Sequence, residues 1–383
     1  MSIRIVIGKS FGDEGKGRVT DHFAKESQEA GRSVLVIRHN GGAQAGHTVT
    51  SGDKRFVFHQ LSSGSIRHAD TYWSDTFLPD LYMLGKEAEE FRSLFGFVPD
   101  VFASPDAKLV TVLDVIINQA LESFRGDGRH GSCGMGINEA VERSRAGFAI
   151  RLGEVYQMSV QDLCIRLLSI LGSYVPKRLR NLGLNDADLG DYKAMLSNET
   201  IISNWCRHAI SNLKYISLES DRIIDRYDDV IFEGAQGLLL DEMNIKYAPH
   251  LTTSRTGLTN PVNFIRSAAP EKEEESLAVY VTRTYVTRHG AGPLPHETNF
   301  GFVDETNVPN DWQGTLRYGC HGSLEEFMEP VNKDVSSCDF KGKIAVFTTH
   351  LDETNRCFIT AEGHVPYDTY LTFNTIENIK LLC

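Results

Sequence analysis

Gly12-Asp13-Glu14-Gly15-Lys16-Gly17 packs a lysine, two carboxylates and three glycines into six consecutive residues. Glycines let backbone N–H groups turn inward around an anion, and a lysine beside them suits phosphate. A carboxylate in the same turn can take a proton or ligate a metal. The loop is not the standard phosphate-binding pattern. Six residues separate Gly8 from Gly15, and Gly17 stands where a Ser or Thr would hold magnesium. The metal ligand must therefore come from elsewhere, and Asp13 is the candidate. A turn whose charges merely face solvent is the plainer reading, and the acidic and basic side chains inside the turn argue against it.

A second glycine-rich stretch, from His39 to Thr48, carries Gly41, Gly42 and Gly46 and ends in His47. No alternating apolar pattern explains that histidine, so it reads as a general acid or a phosphate contact. Further polar, glycine-rich stretches recur. GDGRHGSCGMGI (126–137) runs into Asn138–Arg145 and reads as a mobile linker or a ligand-ordered lid, with the basic residues favouring the lid. Glu233–Asp241, His250–Gly257 and Thr287–Pro293 follow.

These stretches need elements to position them. Ile3–Ile7 and Ser33–Arg38 read as buried strands, with a helix from Lys16 to Gly31 between them. Ser51–Lys54 reads as a hairpin turn, Leu78–Leu94 and Val110–Phe124 as helices, and Val101–Ala103 as a strand edge. Residues 155–217 read as a mostly helical packing subdomain. Asp229–Phe232 and Leu277–Thr284 are strands, and Ile344–Phe347 is the last clear one. Glu271–Glu275 reads as a solvated turn, 310–319 as a loop, and Ser323–Phe327 as the start of a short helix. Strand after strand empties into Gly, Thr, Arg or Asp. The expectation is one large α/β domain over 1–383, around a mostly parallel sheet with its site along one edge.

Composition narrows the classes. Among 383 residues, 41% are hydrophobic, enough for a sizeable core, and the net charge of -12 disfavours a nucleic-acid groove. Seven scattered cysteines with no CxxC pair suit a reducing cytoplasm better than disulfides or zinc. No leader precedes the first strand and no 18-residue apolar run occurs, so a cytoplasmic protein without a membrane segment is expected.

GDEGKG, GGxxAGHT, FEGAQGxLLD, a Thr/Ser stretch and TRxGAGPxP, in this order and nearly end to end, resemble the adenylosuccinate synthetase family. The resemblance implies a homodimeric ligase that joins L-aspartate to C6 of IMP, using GTP and Mg²⁺. It implies that Asp13 takes the N1 proton and binds the metal, with the Gly46 carbonyl a further ligand. His47 would stabilise the transferring phosphoryl group or act as acid on O6. Gly12, Gly15, Lys16, Gly17 and Thr48 would hold the donor phosphates. Gln44, Ser132, Cys133, Gln236 and Thr252 would surround the acceptor nucleotide, joined by Arg143 or Arg145 from a partner subunit. Asp352 would read a guanine on the donor, or else cap a helix before Glu353.

The chain departs from the family pattern in four places. Gln44 and Cys133 replace an Asn and a Thr, His350 replaces a lysine near Asp352, and the arginine-rich aspartate loop is reduced to GTLRYG. Arg317 alone is kept there, with Thr315 where another arginine would stand. A bacteriophage branch of the family adds aspartate to dGMP, and the reduced loop suits a deoxynucleotide bearing a 2-amino group. IMP and (d)GMP therefore stand side by side as acceptors, and GTP and ATP as donors. A nucleotide-binding regulatory protein that has lost catalysis is the contrasting class, against which Asp13, Lys16 and His47 argue.

Overall fold

The computed structural model describes residues 1–129, 131–302, 304, 306–307, 312 and 314–366, and the backbone of 377–380. Residues 310, 311 and 313, within the stretch read as a loop, and Cys383 lie outside the described residues. The strands, in chain order, begin with β1 (Ser2–Gly8), β2 (Val34–Arg38), the hairpin β3 (His47–Ser51) and β4 (Lys54–Phe58), β5 (Asp70–Trp73) and β6 (Val101–Ala103). They continue with β7 (Ile216–Leu218), β8 (Asp229–Glu233), β9 (Leu277–Arg283), β10 (Val286–His289), β11 (Leu316–Gly319), β12 (Lys343–Thr349), β13 (Cys357–Thr360), β14 (Gly363–Pro366) and β15 (Glu377–Lys380). Nine of them form one sheet in the order β15-β12-β9-β1-β8-β2-β5-β6-β7, every pair parallel.

Both faces of the sheet are covered, which is why its strands read as continuous apolar runs. Ile3, Ile5 and Ile7 of β1 and Leu35 and Ile37 of β2 point to one face, against helices Thr259–Ala268 and Leu324–Ser337. Val6, Val34 and Val36 point to the other, against Val19 and Phe23 of α1 (Lys16–Glu29). A further core joins α2 (Leu81–Phe95) and α3 (Val112–Arg125) to the helices Val160–Ser173 and Glu199–Asn212.

Several sequence expectations need correcting. β6 is not an edge: Ile216–Leu218, inside the stretch read as helical, takes that place. The helix begun at Ser323 is 14 residues long, because Ser323 and Glu326 form a reciprocal N-terminal cap. Ile344–Phe347 is followed by three more strands. Glu273 in the acidic run is 7% exposed, since the Arg266 guanidinium pairs with it at 2.7 Å.

Candidate active site

In a parallel sheet every strand delivers its carboxyl end to the same rim. Residues following β1, β2, β8, β9 and β12 there line one cleft of about 1070 Å³. From the first loop come Gly12, Asp13, Gly15, Lys16 and Gly17, and from the second Gln44, Gly46, His47 and Thr48. Ser132, Cys133, Arg145, Gln236 and Thr252 complete the wall, together with His350. Arg317 and Asp352 are not part of it.

The first loop is shaped from inside by Glu14. Its Oε1 accepts the N–H groups of Ser10 and Gly12 at 3.0 and 2.8 Å, and its Oε2 accepts the Lys16 ammonium at 2.8 Å. Helix α1 then starts at Gly15, whose φ of 95° favours glycine, and no side chain caps it. Its first N–H groups are thus left for an anion, with the helix dipole behind them. Asp13 stands before that helix at φ 62°. Burial raises its carboxyl above the usual range, while Lys16, Arg283 and His289 pull the other way. A raised carboxyl suits proton acceptance.

The second loop meets the first at Gly17. A Cβ there would lie 2.7 Å from the His47 Cβ and 2.8 Å from the Ser63 Oγ. Only a residue without a side chain lets the His47 loop come so close. His47 Nδ1 lies 2.7 Å from Glu233 Oε1, at the end of β8. With Nδ1–H donating to that carboxylate, Nε2 remains an acceptor. Burial lowers the imidazole's proton affinity, while the Glu233 carboxylate pulls it back up. Burial pushes the Glu233 carboxyl up, but His47 and Arg38 beside it outweigh that and hold it at about 2. Arg38 lies opposite Glu233 in the β2–β8 register, 3.9 Å away, both fully buried.

Gln44 Nε2 and Oε1 and Gln236 Oε1 are buried in the cleft wall without a hydrogen-bond partner among the described residues. Buried amides without partners are costly, and a polar ligand would satisfy them. Burial raises the Cys133 thiol to about 11, so it stays neutral. Ser132 Oγ donates to Asn118 at 3.0 Å.

The two arginines after the 126–137 loop separate cleanly. Arg143 is 1% exposed, forks onto Asp114 at 2.9 Å through two nitrogens and donates to the carbonyls of Phe148 and Leu109. It is fully used inside the fold. Arg145 is exposed at the cleft, paired with Glu142 and Glu242. Arg317 is also committed: it pairs with Glu297 and donates to the carbonyls of Gly290 and Gly292. Asp352 is exposed in a turn covering 352–356, so no helix exists for it to cap.

Glu233, Arg38 and Arg283 were not anticipated as site residues. Each is a charge that closes an apolar strand, and that position was the available signal.

The family model described as adenylosuccinate synthetase matches residues 5–317. The synthetase of Thermosipho africanus is 29% identical over 297 residues, covering 76% of this chain and 66% of that protein. That of Alcanivorax borkumensis is 30% identical over 298 residues, covering 76% and 64%. The chain thus spans just under two thirds of the length of these curated relatives. Among solved structures, the fully ligated adenylosuccinate synthetase from Plasmodium falciparum superposes with a TM-score of 0.67 at 19% identity, covering 92% of this chain and 78% of that one. The succinoaminodeoxyadenylate synthetase of cyanophage S-2L, bound to dGMP and dATP, gives 0.57 at 13% identity, covering 91% and 84%. At such identities these two share the fold. With most of its length matched by the family model and the motif loops gathered on one rim, the chain belongs to the adenylosuccinate synthetase family.

Proposed function

We propose that the chain is a purine-nucleotide ligase. It joins L-aspartate to C6 of a 6-oxopurine 5'-monophosphate, IMP or (d)GMP, through a 6-phosphoryl intermediate, with GTP or ATP as donor. The observation that carries this is that Asp13 and His47, the latter paired with Glu233, line one cleft together with the uncapped N-terminus of α1.

The oxygen at C6 leaves poorly until it is phosphorylated. Asp13 takes the N1 proton, so that O6 attacks the terminal phosphorus of the donor and the diphosphate departs. His47 faces O6 and the moving phosphoryl group through Nε2. Lys16 and the N–H groups of the first loop hold the donor phosphates, with Gly12, Gly15, Gly17 and Thr48 around them. The amine of aspartate then attacks C6, the C6–N bond forms, and phosphate leaves with O6. Gln44, Gln236, Ser132, Cys133 and Thr252 surround the acceptor, and their unsatisfied amides support that role.

Asp13 and the Gly46 carbonyl are the oxygens that would hold Mg²⁺. No cluster of three acidic, histidine or cysteine ligands exists among the described residues, and so sparse a donor set fits an ion that shares phosphate and water. When bound, it neutralises charge on the transferring group. The anion contact expected of an arginine in a homodimer is assigned to Arg145, because Arg143 is consumed by Asp114. Asp352 is kept as the reader of a donor guanine and Arg317 as the aspartate contact, each requiring its segment to approach the cleft. All six described cysteines are free thiols, which supports a reducing, cytoplasmic setting, and no described helix is long and apolar enough to cross a membrane.

The test is phosphate release by purified protein with Mg²⁺, aspartate and GTP or ATP, offering IMP, GMP and dGMP in turn. The cyanophage protein of the same fold was solved with dGMP and dATP, which is why both purine donors and a deoxy acceptor are included. Release with an acceptor, dependent on aspartate, is expected. Nucleotide binding without release from any acceptor would favour a regulatory binder.

A further inference from the structure

Arg283 closes β9 with its side chain beneath the first loop, 4% exposed yet part of the cleft wall. Its guanidinium is tied in three directions. Nε donates to the backbone carbonyl of Asp13 at 2.7 Å, Nη1 to the Tyr285 hydroxyl at 3.0 Å and Nη2 to the Asp304 carboxylate at 2.8 Å. Tyr285 in turn donates to Glu353. The carbonyl that Arg283 holds belongs to a residue at φ 62°, a region that side-chain-bearing residues rarely adopt. On the far side, Asp304 accepts the N–H groups of Thr306 and Asn307, both at 2.9 Å, and both of these residues line the cleft.

We propose that Arg283 is a positioning residue: it holds Asp13 in its left-handed conformation and ties it to Asp304, and through Asp304 to Thr306 and Asn307 on the cleft wall. This rests on the reading of Asp13 as the proton acceptor. A planar guanidinium can reach a carbonyl, a hydroxyl and a carboxylate at once, whereas an ammonium on a flexible stem cannot. The remainder of the loop has supports of its own. Glu14 holds its inner face, and Thr349 Oγ1 donates to the Glu14 carbonyl at 2.8 Å. Loss of Arg283 therefore releases Asp13 without unravelling the loop.

The test compares wild type with Arg283→Ala, Arg283→Lys, Asp304→Ala and the double alanine variant, all as the full chain. In Arg283→Ala, kcat for phosphate release falls about 100-fold, the scale of a misplaced catalytic group, while the KM values for donor, acceptor and aspartate stay within about threefold. Arg283→Lys falls between, and added guanidinium ion partly restores Arg283→Ala. Asp304→Ala also loses kcat, and the double variant is no slower than Arg283→Ala, because both act through one tie. A loss carried by the KM for aspartate would make Arg283 a substrate ligand and overturn the proposal, as would strictly additive losses. Amide hydrogen exchange is read on the same proteins. Protection at residues 9–17 falls in Asp304→Ala together with protection at 304–307. Unchanged protection at 9–17 refutes the tie even if the wild type turns nothing over. An inactive wild type with coupled exchange would instead refute the ligase reading and leave the tie standing.

Discussion

Glu233→Gln is the sharpest perturbation of the site, because it keeps the shape and removes one charge. The Glu233 carboxylate faces His47 at 2.7 Å, the Ser63 N–H at 3.1 Å, the Ser63 hydroxyl, and Arg38 at 3.9 Å, with no exposure to water. A glutamine offers one acceptor oxygen, and its NH₂ displaces a carboxylate oxygen that now accepts either from His47 and the Ser63 hydroxyl or from the Ser63 N–H. The carboxyl sits at about 2 rather than the usual 4.5. At about 1.4 kcal/mol per unit, this difference is worth roughly 3 kcal/mol of folded-state stabilisation at neutral pH. Arg38, fully buried, would be left as an uncompensated charge, a situation of the same order of cost. The sign fixes the pH window. The native value is depressed, so the stabilisation is complete above 4.5 and is lost as pH falls towards 2. Urea unfolding at pH 7 should place Glu233→Gln roughly 3 kcal/mol below wild type, with the gap narrowing below pH 4.5. His47 would also lose the partner that fixes its tautomer, so kcat should fall about 100-fold with little change in KM. A variant within 1 kcal/mol of wild type at pH 7, turning over within threefold of it, would refute this account of the buried pair.

Other expectations concern the same rim. Asp13→Asn should abolish phosphate release while leaving the thermal midpoint unchanged or raised, because burial disfavours the charged carboxylate, and persistent turnover would remove it as the base. Gly17→Ala places a methyl 2.7 Å from the His47 Cβ; a loss of 1–3 kcal/mol in urea unfolding, typical of overpacking at about this scale, should accompany loss of activity. Arg143→Ala breaks a buried fork and should cost about 3–5 kcal/mol, whereas Arg145→Ala should be nearly neutral in stability and raise the acceptor KM. Asp352→Asn should narrow the preference for GTP over ATP, read as the ratio of kcat/KM values.

Much of the fold was legible because the sheet is parallel and covered on both faces. A strand such as Val34–Arg38 has no polar face, so its apolar run stands out against the glycine-rich loops on either side. Short strands lacked that contrast. Ile216–Leu218 has the burial of an edge and three residues, too few to show a period, and it vanished into its helical surroundings. The loops that carry phosphate chemistry were also legible, since glycine, lysine and aspartate in one turn have few other uses. Glu14 was hidden in that same turn: its role is to accept backbone N–H groups, which any nearby carboxylate can do. Arg143 and Arg145 could not be told apart from spacing, because what separates them is Asp114, 29 residues earlier in the chain.

The division between these cases follows from what holds each half of the cleft. Asp13, His47 and Glu233 hang from β1, from the turn after β2 and from β8, adjacent strands locked in register by backbone hydrogen bonds. The sheet fixes the spacing of the strand ends from which these loops start, so the residue types alone pointed to the cleft. The opposite wall, from Gly131 to Arg145 and at Thr306 and Asn307, is borne on a loop, the short helix Ile137–Arg143 and a turn held by side-chain ties such as Arg283 to Asp304. Of the departures from the family pattern, Cys133 falls in this wall and Gln44 in the sheet-bound one. A cleft built so leaves its sheet-bound side fixed by backbone pairing, while the wall at Cys133, Thr306 and Asn307 can change with a few side chains.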